Sequence, residues 1–466
     1  MSGPGGAPSR KGLTRLALAI GAALLLAAAG AGLLLVWRPP APALIASATP
    51  VRVSSAHFKD VPVEMPGGNP AGLALLISGA GGPGPTEQAL SERLRRRGLM
   101  VLSLDLETWR TGLARDAGPC IRPMSDVEDL SKNLQRALKA KRYVHPVLVG
   151  VGEGGALAHA ILGQALSATV AGGVALDPTE IVGMDHPACD GLPAEPAPGG
   201  VRYPRATALQ EPFVLVRETA AAEAEPGAAR GPHRPETRVR VEAQARIDAA
   251  VDAAVSLAVR DAGTGQMPLV EHVPAGPARA LAIFFSGDGG WRDIDKTIGD
   301  RLAREGVHVL GVDALRYFWS DKNPQTVAAD TASALKAADP DRRLPILVLG
   351  YSFGADVFPF AWPYLPAALT DRIGLIALLG PGRSTGFSVS VKGFLGLGGA
   401  HAVVPQIAAL PPAKVLCIYG SAEKEPACTD PSLKGIRAIR LEGGHHFDGD
   451  YPGIARRILD AARVSG

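Results

Sequence analysis

The architecture follows from Leu344-Pro-Ile-Leu-Val-Leu-Gly-Tyr-Ser352-Phe-Gly-Ala-Asp356, which predicts a buried strand, a tight turn and the start of a helix. Four consecutive apolar residues, 346–349, are typical of a strand that is covered on both faces, as in a parallel sheet. Gly350-Tyr-Ser352-Phe-Gly354 then matches the G-x-S-x-G pattern, in which a serine occupies a strained turn. The pattern predicts a hydroxyl that is lifted clear of the sheet and can attack a carbonyl carbon.

A second match to the same pattern, Gly382-Arg-Ser384-Thr-Gly386, lies further along the chain. The residues after it, 387–391, alternate between apolar and polar as in a strand, whereas Ser352 leads into a segment compatible with a helix. We therefore predict that Ser352 is the nucleophile and that Ser384 is a loop serine.

Length and charge bound the class of protein. A chain of 466 residues allows two or three domains with ample core. Its hydrophobic content of 47% and charged content of 20% are ordinary for a globular protein. A formal net charge of +3 is too small to indicate nucleic-acid binding, so nucleic acid is not expected as a partner.

The amino terminus carries an unbroken apolar run, residues 16–37, preceded by Arg10, Lys11 and Arg15. A run of this length can cross a bilayer, and the preceding positive charges favour a cytoplasmic amino terminus. We therefore expect a periplasmic protein that residues 16–37 anchor to the inner membrane. Ala41-Pro-Ala43 and Ala46-Ser-Ala48 resemble cleavage sites, which leaves open a cleaved signal and a protein released into the periplasm.

Four cysteines are present. They fit an oxidising compartment if Cys120 pairs with Cys189 and Cys417 with Cys428, one pair in each half of the chain. Four free buried thiols remain the alternative, because connectivity does not follow from sequence.

The chain contains an internal repeat with an offset of 208 residues, in which Ser78-Gly-Ala-Gly-Gly82 answers Ser286-Gly-Asp-Gly-Gly290. From Ser78 to Asp105, 11 of 28 positions are identical to those 208 residues later. Each copy alternates strand and helix, which predicts two tandem α/β domains with doubly wound, mostly parallel sheets. We place the amino-terminal tail, anchor or signal and linker at 1–49, a degenerate domain at 50–262 and a catalytic domain at 263–466, with a flexible surface loop over Thr219–Pro235.

The first copy lacks the nucleophile. Its counterpart of the serine turn is Gly150-Val-Gly152-Glu-Gly154, so Gly152 stands where the second copy has Ser352. Glu153 is one residue further along the turn and would point elsewhere. The first half is therefore predicted to be catalytically inactive.

A serine nucleophile needs a base and an acid that orients it, and in this class of sheet the chain order is serine, acid, histidine. Glu423 follows a predicted strand, Lys414–Tyr419, and is our choice for the acid, with Glu425 and Asp430 as alternatives. His445 in Glu442-Gly-Gly-His-His-Phe447 fits the general base, and His446 would support the loop or the substrate. No metal or other cofactor is expected, since adjacent histidines bring no third ligand motif.

The oxyanion of the reaction needs two backbone N–H groups near the serine. We expect one from Phe353 and the other from Asp288 in the glycine-rich turn after the first strand of the second copy. Asp356 and Trp291 are expected to contact the substrate. Acidic residues crowd this rim and would favour a cationic substrate if two or three face the pocket, namely Asp288, Asp293, Asp295, Asp356, Asp448 and Asp450.

Three motifs together resemble the bacterial virulence proteins AcvB and VirJ, and the duplicated, membrane-anchored layout resembles the longer AcvB type. The motifs are Ser286-Gly-Asp-Gly-Gly-Trp291, Gly350-Tyr-Ser-Phe-Gly-Ala-Asp356 and Gly443-Gly-His-His-Phe-Asp448. The resemblance implies an extracytoplasmic serine hydrolase of the α/β-hydrolase fold. It would release lysine or alanine from aminoacylated phosphatidylglycerol, with Ser352 as nucleophile and His445 as base.

Two other functions stay open at this point. The resemblance also implies a link to type IV secretion, so the protein could be a periplasmic adaptor that binds secretion-system proteins, with the inactive half as a docking surface. A generic carboxylesterase or thioesterase is the third possibility, and it would show no preference for esters that carry an ammonium group.

Overall fold

The computed structural model describes residues 51–116, 118–204, 209–218, 237–262, 267–389 and 399–462. These residues belong to one compact unit, Ser47–Gly466. The predicted membrane span or signal, residues 16–37, and the predicted loop Thr219–Pro235 lie outside the described residues. None of the helices within the described ranges combines the length and the apolar character that crossing a bilayer requires.

The first half of the chain forms an eight-stranded sheet and a small three-stranded sheet. The large sheet contains β1 Arg52–Val53, β2 Val61–Glu64, β3 Gly72–Ile77, β4 Leu99–Leu104, β5 Pro146–Val151, β6 Gly172–Leu176, β10 Phe213–Glu218 and β11 Thr237–Val241, and the small sheet contains β7 Ile181–Val182, β8 Glu195–Ala197 and β9 Gly200–Arg202. The large sheet has the order β1-β2-β4-β3-β5-β6-β10-β11. Strands from β4 onward in this order run parallel, and β2 pairs antiparallel with β4.

The second half repeats this arrangement. Its strands are β12 Leu269–His272, β13 Ala280–Phe285, β14 Val307–Val312, β15 Ile346–Tyr351, β16 Ile373–Leu379, β17 Ser384–Thr385, β18 His401–Ala402, β19 Val415–Gly420 and β20 Arg437–Leu441. The main sheet has the order β12-β14-β13-β15-β16-β19-β20, in which the edge strand β12 pairs antiparallel with β14. Both halves therefore have an α/β fold in which parallel strands dominate.

Helices cover the faces of both sheets. Those of the first half are α1 Pro85–Arg96, α2 Leu106–Leu113, α3 Pro123–Ala137, α4 Glu153–Gln164 and α5 Arg246–Ala262. Those of the second half are α6 Ile294–Arg304, α7 Ala314–Tyr317, α8 Pro324–Ala338, α9 Phe353–Ala361, α10 Ala367–Thr370, α11 Val404–Ala408 and α12 Tyr451–Ala462. Single 3₁₀ turns occur at Ala243–Ala245, Trp362–Tyr364, Pro412–Lys414, Ala427–Thr429 and Phe447–Gly449.

The repeat is visible in individual hydrogen bonds. The Ser78 hydroxyl accepts a hydrogen bond from the Leu106 backbone N–H at 3.0 Å, and 208 residues later the Ser286 hydroxyl accepts one from Ala314 N–H at 3.0 Å. Both serines are buried, so each hydroxyl satisfies a backbone donor that would otherwise be unpaired inside the protein. The shared sequence positions thus perform the same structural task in both halves.

Local contacts set two element boundaries of the first half. Helix α1 begins at Pro85, because proline suits the first helical position and the Glu87 carboxylate accepts the Gly84 N–H at 2.9 Å. Helix α5 begins at Arg246, and residues 237–241 before it form edge strand β11 by pairing with β10.

The halves share buried side chains. Tyr143 of the first half is fully buried in a core cluster of the second half, and its ring centroid lies 4.8 Å from that of Trp319. Such a contact removes two large aromatic surfaces from water and stabilises the packing of one half on the other.

Both cysteine pairs form disulfides, Cys120 with Cys189 and Cys417 with Cys428, which confirms the expected pairing. The second disulfide joins buried strand β19 to the 3₁₀ turn at Ala427–Thr429. It closes the segment that contains Glu423.

Replacement of both Cys417 and Cys428 by Ala should lower the free energy of unfolding by roughly 2–4 kcal/mol, because the unfolded chain regains the entropy of a closed loop. Chemical denaturation under oxidising conditions measures this change. A variant as stable as the wild type would contradict the expectation, and the wild type measured with a reductant serves as the comparison.

Candidate active site

Ser352 sits in a strained turn between β15 and α9. Its backbone has φ 51° and ψ −118°, in the left-handed region that residues with a Cβ rarely adopt. The two glycines of the motif make the turn possible: a Cβ at Gly350 would lie 2.6 Å from the Ala355 nitrogen, and one at Gly354 would lie 2.2 Å from the Phe285 carbonyl oxygen. The turn therefore matches the strained serine conformation that the G-x-S-x-G pattern predicts.

A continuous hydrogen-bond chain connects Ser352, His445 and Glu423. The Ser352 Oγ lies 2.8 Å from His445 Nε2, and His445 Nδ1 lies 2.6 Å from Glu423 Oε1. The other Glu423 oxygen accepts the Gly420 backbone N–H at 2.7 Å, which fixes the carboxylate. The structure thus brings together the three residues that sequence analysis selected as nucleophile, base and acid.

The sheet explains why residues 93 and 22 positions apart meet. Ser352 follows β15, Glu423 follows β19 and His445 follows β20, and all three strands run parallel. Their carboxyl ends lie on one edge, where sites of open α/β sheets form. The Tyr351 ring packs 5.2 Å from the His445 ring and supports it from below.

A cavity of about 580 Å³ opens above this chain. Asp288 and Phe353, the expected sources of oxyanion N–H groups, both border it beside Ser352. Phe353 is the first residue of α9, and the first N–H groups of a helix have no partner inside the helix. This N–H and the positive end of the helix dipole are therefore available to a developing negative charge.

Asp288 and Asp356 both border the same cavity, as do Glu423, Glu425, Arg383 and Lys424. Asp356 is buried and accepts the Gly382 backbone N–H at 2.7 Å. Burial raises its pKa well above the ordinary value, and the nearby Asp288 charge adds to the effect. Burial also raises the pKa of Asp288, although the positive charges of Arg292 and Lys132 partly offset the rise. Asp288 and Asp356 thus each present a carboxyl group whose ionised form a cation in the cavity would favour.

Trp291 does not border the cavity, so the expectation that it contacts substrate is wrong. Its ring is buried against Phe284 in the core, and its Nε1–H donates to His272 Nε2 at 3.1 Å. Gly290, the residue before it, has a positive φ of 92°.

The other acidic residues of the rim also face elsewhere. Asp295 is buried in helix α6, and Asp293 accepts a hydrogen bond from the Tyr451 hydroxyl at 3.3 Å. Asp450 accepts the Gly453 N–H, and neither it nor Asp448 borders the cavity. Only Asp288 and Asp356 of the six acids remain candidates for contact with substrate.

One wall of the cavity, residues 380–386 after β16, was not predicted from the sequence. Ser384, expected to be a loop serine, lies in β17 and borders the cavity, while the alternating segment after it forms no strand over 386–389. The signal was present, because β16 ends on the same edge as β15 and β19, and residues after such strands converge.

The equivalent turn of the first half has the same backbone geometry but lacks a nucleophilic side chain. Gly152 has φ 53° and ψ −117°, nearly the values of Ser352, but carries no hydroxyl. The neighbouring Glu153 pairs with Arg110 at 2.5 Å and turns away from the serine's equivalent position. The turn survives as a structural element.

Comparisons with known proteins agree with the motif resemblance. Residues 279–465 match the family model described as bacterial virulence protein (VirJ), which confirms the resemblance for the part of the chain that holds Ser352, Glu423 and His445. No curated protein gives a match to the sequence.

Several solved structures are similar to about two fifths of this chain. XC6422 from Xanthomonas campestris, an α/β serine hydrolase without lid, shares 17% identity over 42% of this chain and 87% of that chain, with a TM-score of 0.30. The esterase domain of a Rhodothermus marinus protein shares 16% sequence identity over 43% of this chain and 94% of that chain, with a TM-score of 0.32. Est1E from Butyrivibrio proteoclasticus shares 14% sequence identity over 42% of this chain and 94% of that chain, with a TM-score of 0.30.

Glu423→Gln should lower kcat for an activated p-nitrophenyl ester by about 10³–10⁴-fold, because the amide no longer fixes the histidine tautomer that accepts the serine proton. Steady-state hydrolysis measures the change. Glu442→Gln, at an exposed residue of the same loop region, is the control and should retain full activity. A Glu423→Gln variant within tenfold of wild type would remove this residue from the reaction.

Asp356→Asn should stabilise the protein by roughly 0.5–2 kcal/mol at neutral pH, because it removes a buried charge and keeps an oxygen for the Gly382 N–H. A raised folded-state pKa means that the folded protein binds the proton more tightly than the unfolded chain. The stabilisation should therefore be absent below the ordinary pKa of 3.8 and grow as pH rises toward the folded pKa. Urea unfolding across this pH range measures the difference in unfolding free energy between Asp356→Asn and wild type, with Asp371→Asn on the surface as control. A difference that does not change with pH would contradict the expectation.

Proposed function

We propose that the protein is a serine hydrolase that cleaves the aminoacyl ester of lysyl- or alanyl-phosphatidylglycerol. The observation that carries the proposal is the chain from Ser352 through His445 to Glu423, with contacts of 2.8 and 2.6 Å, at a cavity that Asp288 and Asp356 also border. The nucleophile supports ester cleavage. The carboxyl groups support recognition of the ammonium group that distinguishes an aminoacyl ester from an ordinary acyl ester.

The first half-reaction begins when the Ser352 oxygen attacks the ester carbonyl carbon while His445 Nε2 accepts the hydroxyl proton. Glu423 stabilises the resulting imidazolium through Nδ1–H. Negative charge on the tetrahedral oxygen meets the N–H groups of Phe353 and Asp288. The ester bond then breaks, the phosphatidylglycerol hydroxyl takes the proton from His445, and the aminoacyl group remains on Ser352.

The second half-reaction returns the serine. A water molecule gives its proton to His445 and attacks the aminoacyl carbonyl. Collapse of the intermediate breaks the bond to Ser352, whose oxygen recovers the proton from His445. The side chain of His445 is 41% exposed, which supports direct access of water to this base.

Asp288 and Asp356 would hold the substrate's ammonium group. A cation that approaches two carboxyl groups of raised pKa favours their ionised form. The interaction develops in a partly buried site, where a charged contact is stronger than in water.

The proposal places the reaction at the outer face of the inner membrane. Residues 16–37 would act as an anchor, or as a signal that releases the protein into the periplasm, and either brings the cavity to the compartment outside the membrane. The two disulfides support an oxidising compartment. The inner membrane and its aminoacylated phospholipid are the partners that this proposal requires.

Cells that lack the protein should accumulate aminoacylated phosphatidylglycerol, and Ser352→Ala should fail to reverse the accumulation, since the variant loses the nucleophile and about 10⁶-fold in kcat. Lipid extracts from cells that carry wild type, Ser352→Ala or Ser333→Ala are compared. Ser333 lies on the exposed face of α8 and serves as control.

Turnover of aminoacyl lipid by Ser352→Ala would reject the assignment of the nucleophile. Rapid cleavage of neutral short-chain esters without preference for ammonium-bearing ones would instead favour a generic carboxylesterase.

A further inference from the structure

Helix α3 of the non-catalytic half directs three side chains toward the catalytic half, each one turn beyond the last. They are Glu128, Lys132 and Arg136, which share one face of the helix. Arg136 donates to the backbone carbonyls of Trp319, at 2.8 Å, and of Val389, and its guanidinium carbon lies 3.5 Å from the centroid of the Trp319 ring. Since Val389 borders the cavity, this helix face supports a wall of the candidate active site.

Glu128 lies between two cations. Its Oε1 accepts from Arg292 Nη1 at 2.9 Å and its Oε2 accepts from Lys132 Nζ at 2.6 Å. Glu128 and Arg292 side chains are each 21% exposed, so water screens their attraction far less than at an open surface. Burial opposes ionisation, but Arg292 and Lys132 lower the pKa of Glu128 below its ordinary value. Glu128 is therefore a carboxylate at neutral pH.

The same cations act on Asp288 of the cavity. Arg292 folds back over the turn that carries Asp288, so that a Cβ added to Gly289 would lie 2.7 Å from Arg292 Nη2. Arg292 and Lys132 also lower the pKa of Asp288 against the effect of burial. Glu128 and Asp288, from different halves of the chain, therefore compete for the same positive charges.

We propose that Glu128 sets the specificity of the cavity from the non-catalytic half, by holding Arg292 and Lys132 so that Asp288 stays available to the ammonium group of the substrate. Glu128 touches neither the substrate nor the reacting atoms, so it is a positioning residue. This inference rests on the proposed function, because it assumes that the cavity binds an ammonium-bearing ester. It gives the inactive copy a task in the reaction of the active one.

The test compares two substrates, the p-nitrophenyl esters of lysine and of Nα,Nε-diacetyl-lysine, which differ only in their ammonium groups. In Glu128→Gln, Arg292 loses its counter-charge and turns to Asp288. KM for the lysine ester should rise about tenfold, the order expected when one charged contact is lost. kcat for both esters and KM for the neutral ester should stay within twofold, since the reacting groups are untouched.

A double variant separates charge from folding. Glu128→Gln combined with Arg292→Gln removes both members of the pair, which leaves Asp288 with less competing positive charge and should restore most of the preference for lysine. Replacing both members avoids the uncompensated charge that removal of one partner leaves in a partly buried pair. Arg292→Gln alone should keep the preference for lysine. A loss of preference in this variant would overturn the inference, whether or not Glu128→Gln folds.

Glu107→Gln is the matched control, because Glu107 also pairs with an arginine, Arg110, at 3.1 Å, but does not border the cavity. It should behave as wild type on both esters. Equal losses on both esters in Glu128→Gln, or a double variant worse than either single one, would overturn the inference. A wild type that prefers lysine and a Glu128→Gln variant that keeps this preference reject the inference alone. A wild type without any preference rejects the proposed substrate, and the inference with it.

Discussion

The candidate site depends on one backbone constraint, the left-handed conformation of Ser352. The conformation is held by the hydrogen bond from Ser352 N–H to the Leu379 carbonyl at 2.8 Å, and by the bond from Asp356 N–H to the Ser352 carbonyl at 3.0 Å. Strand β16 on one side and helix α9 on the other thus fix the residue against its own steric preference. Because the turn is fixed by its neighbours, the hydroxyl reaches His445 without any rearrangement of the backbone.

The duplicated half shows that this constraint is independent of catalysis. Gly152 adopts the same dihedral angles in the same position of an equivalent sheet, and Asp105 caps α2 as Asp313 caps α7. An equivalent sheet therefore supports the strained turn whether or not the residue carries a hydroxyl. Helix α3 of the first half lies against the loops of the second half.

Much of the site could be predicted from sequence because its parts are local motifs placed by a regular sheet. Ser352, Glu423 and His445 each follow a recognisable strand, and parallel strands bring their ends to one edge. Trp291 was misplaced because its burial against Phe284 is decided by core packing, which the motif does not specify. Glu128 could not be found at all, because its partner Arg292 is 164 residues away and no motif links them.

The disulfide between Cys417 and Cys428 makes the geometry around Glu423 depend on the redox state of the protein. The bond fixes the end of the segment that carries Glu423, so assembly of the acid residue is coupled to loss of two thiols. A chain synthesised in a reducing compartment holds this segment less firmly than one that has met an oxidant. A preparation kept reduced therefore lacks this covalent closure beside Glu423, and rates measured on reduced and oxidised preparations are not interchangeable.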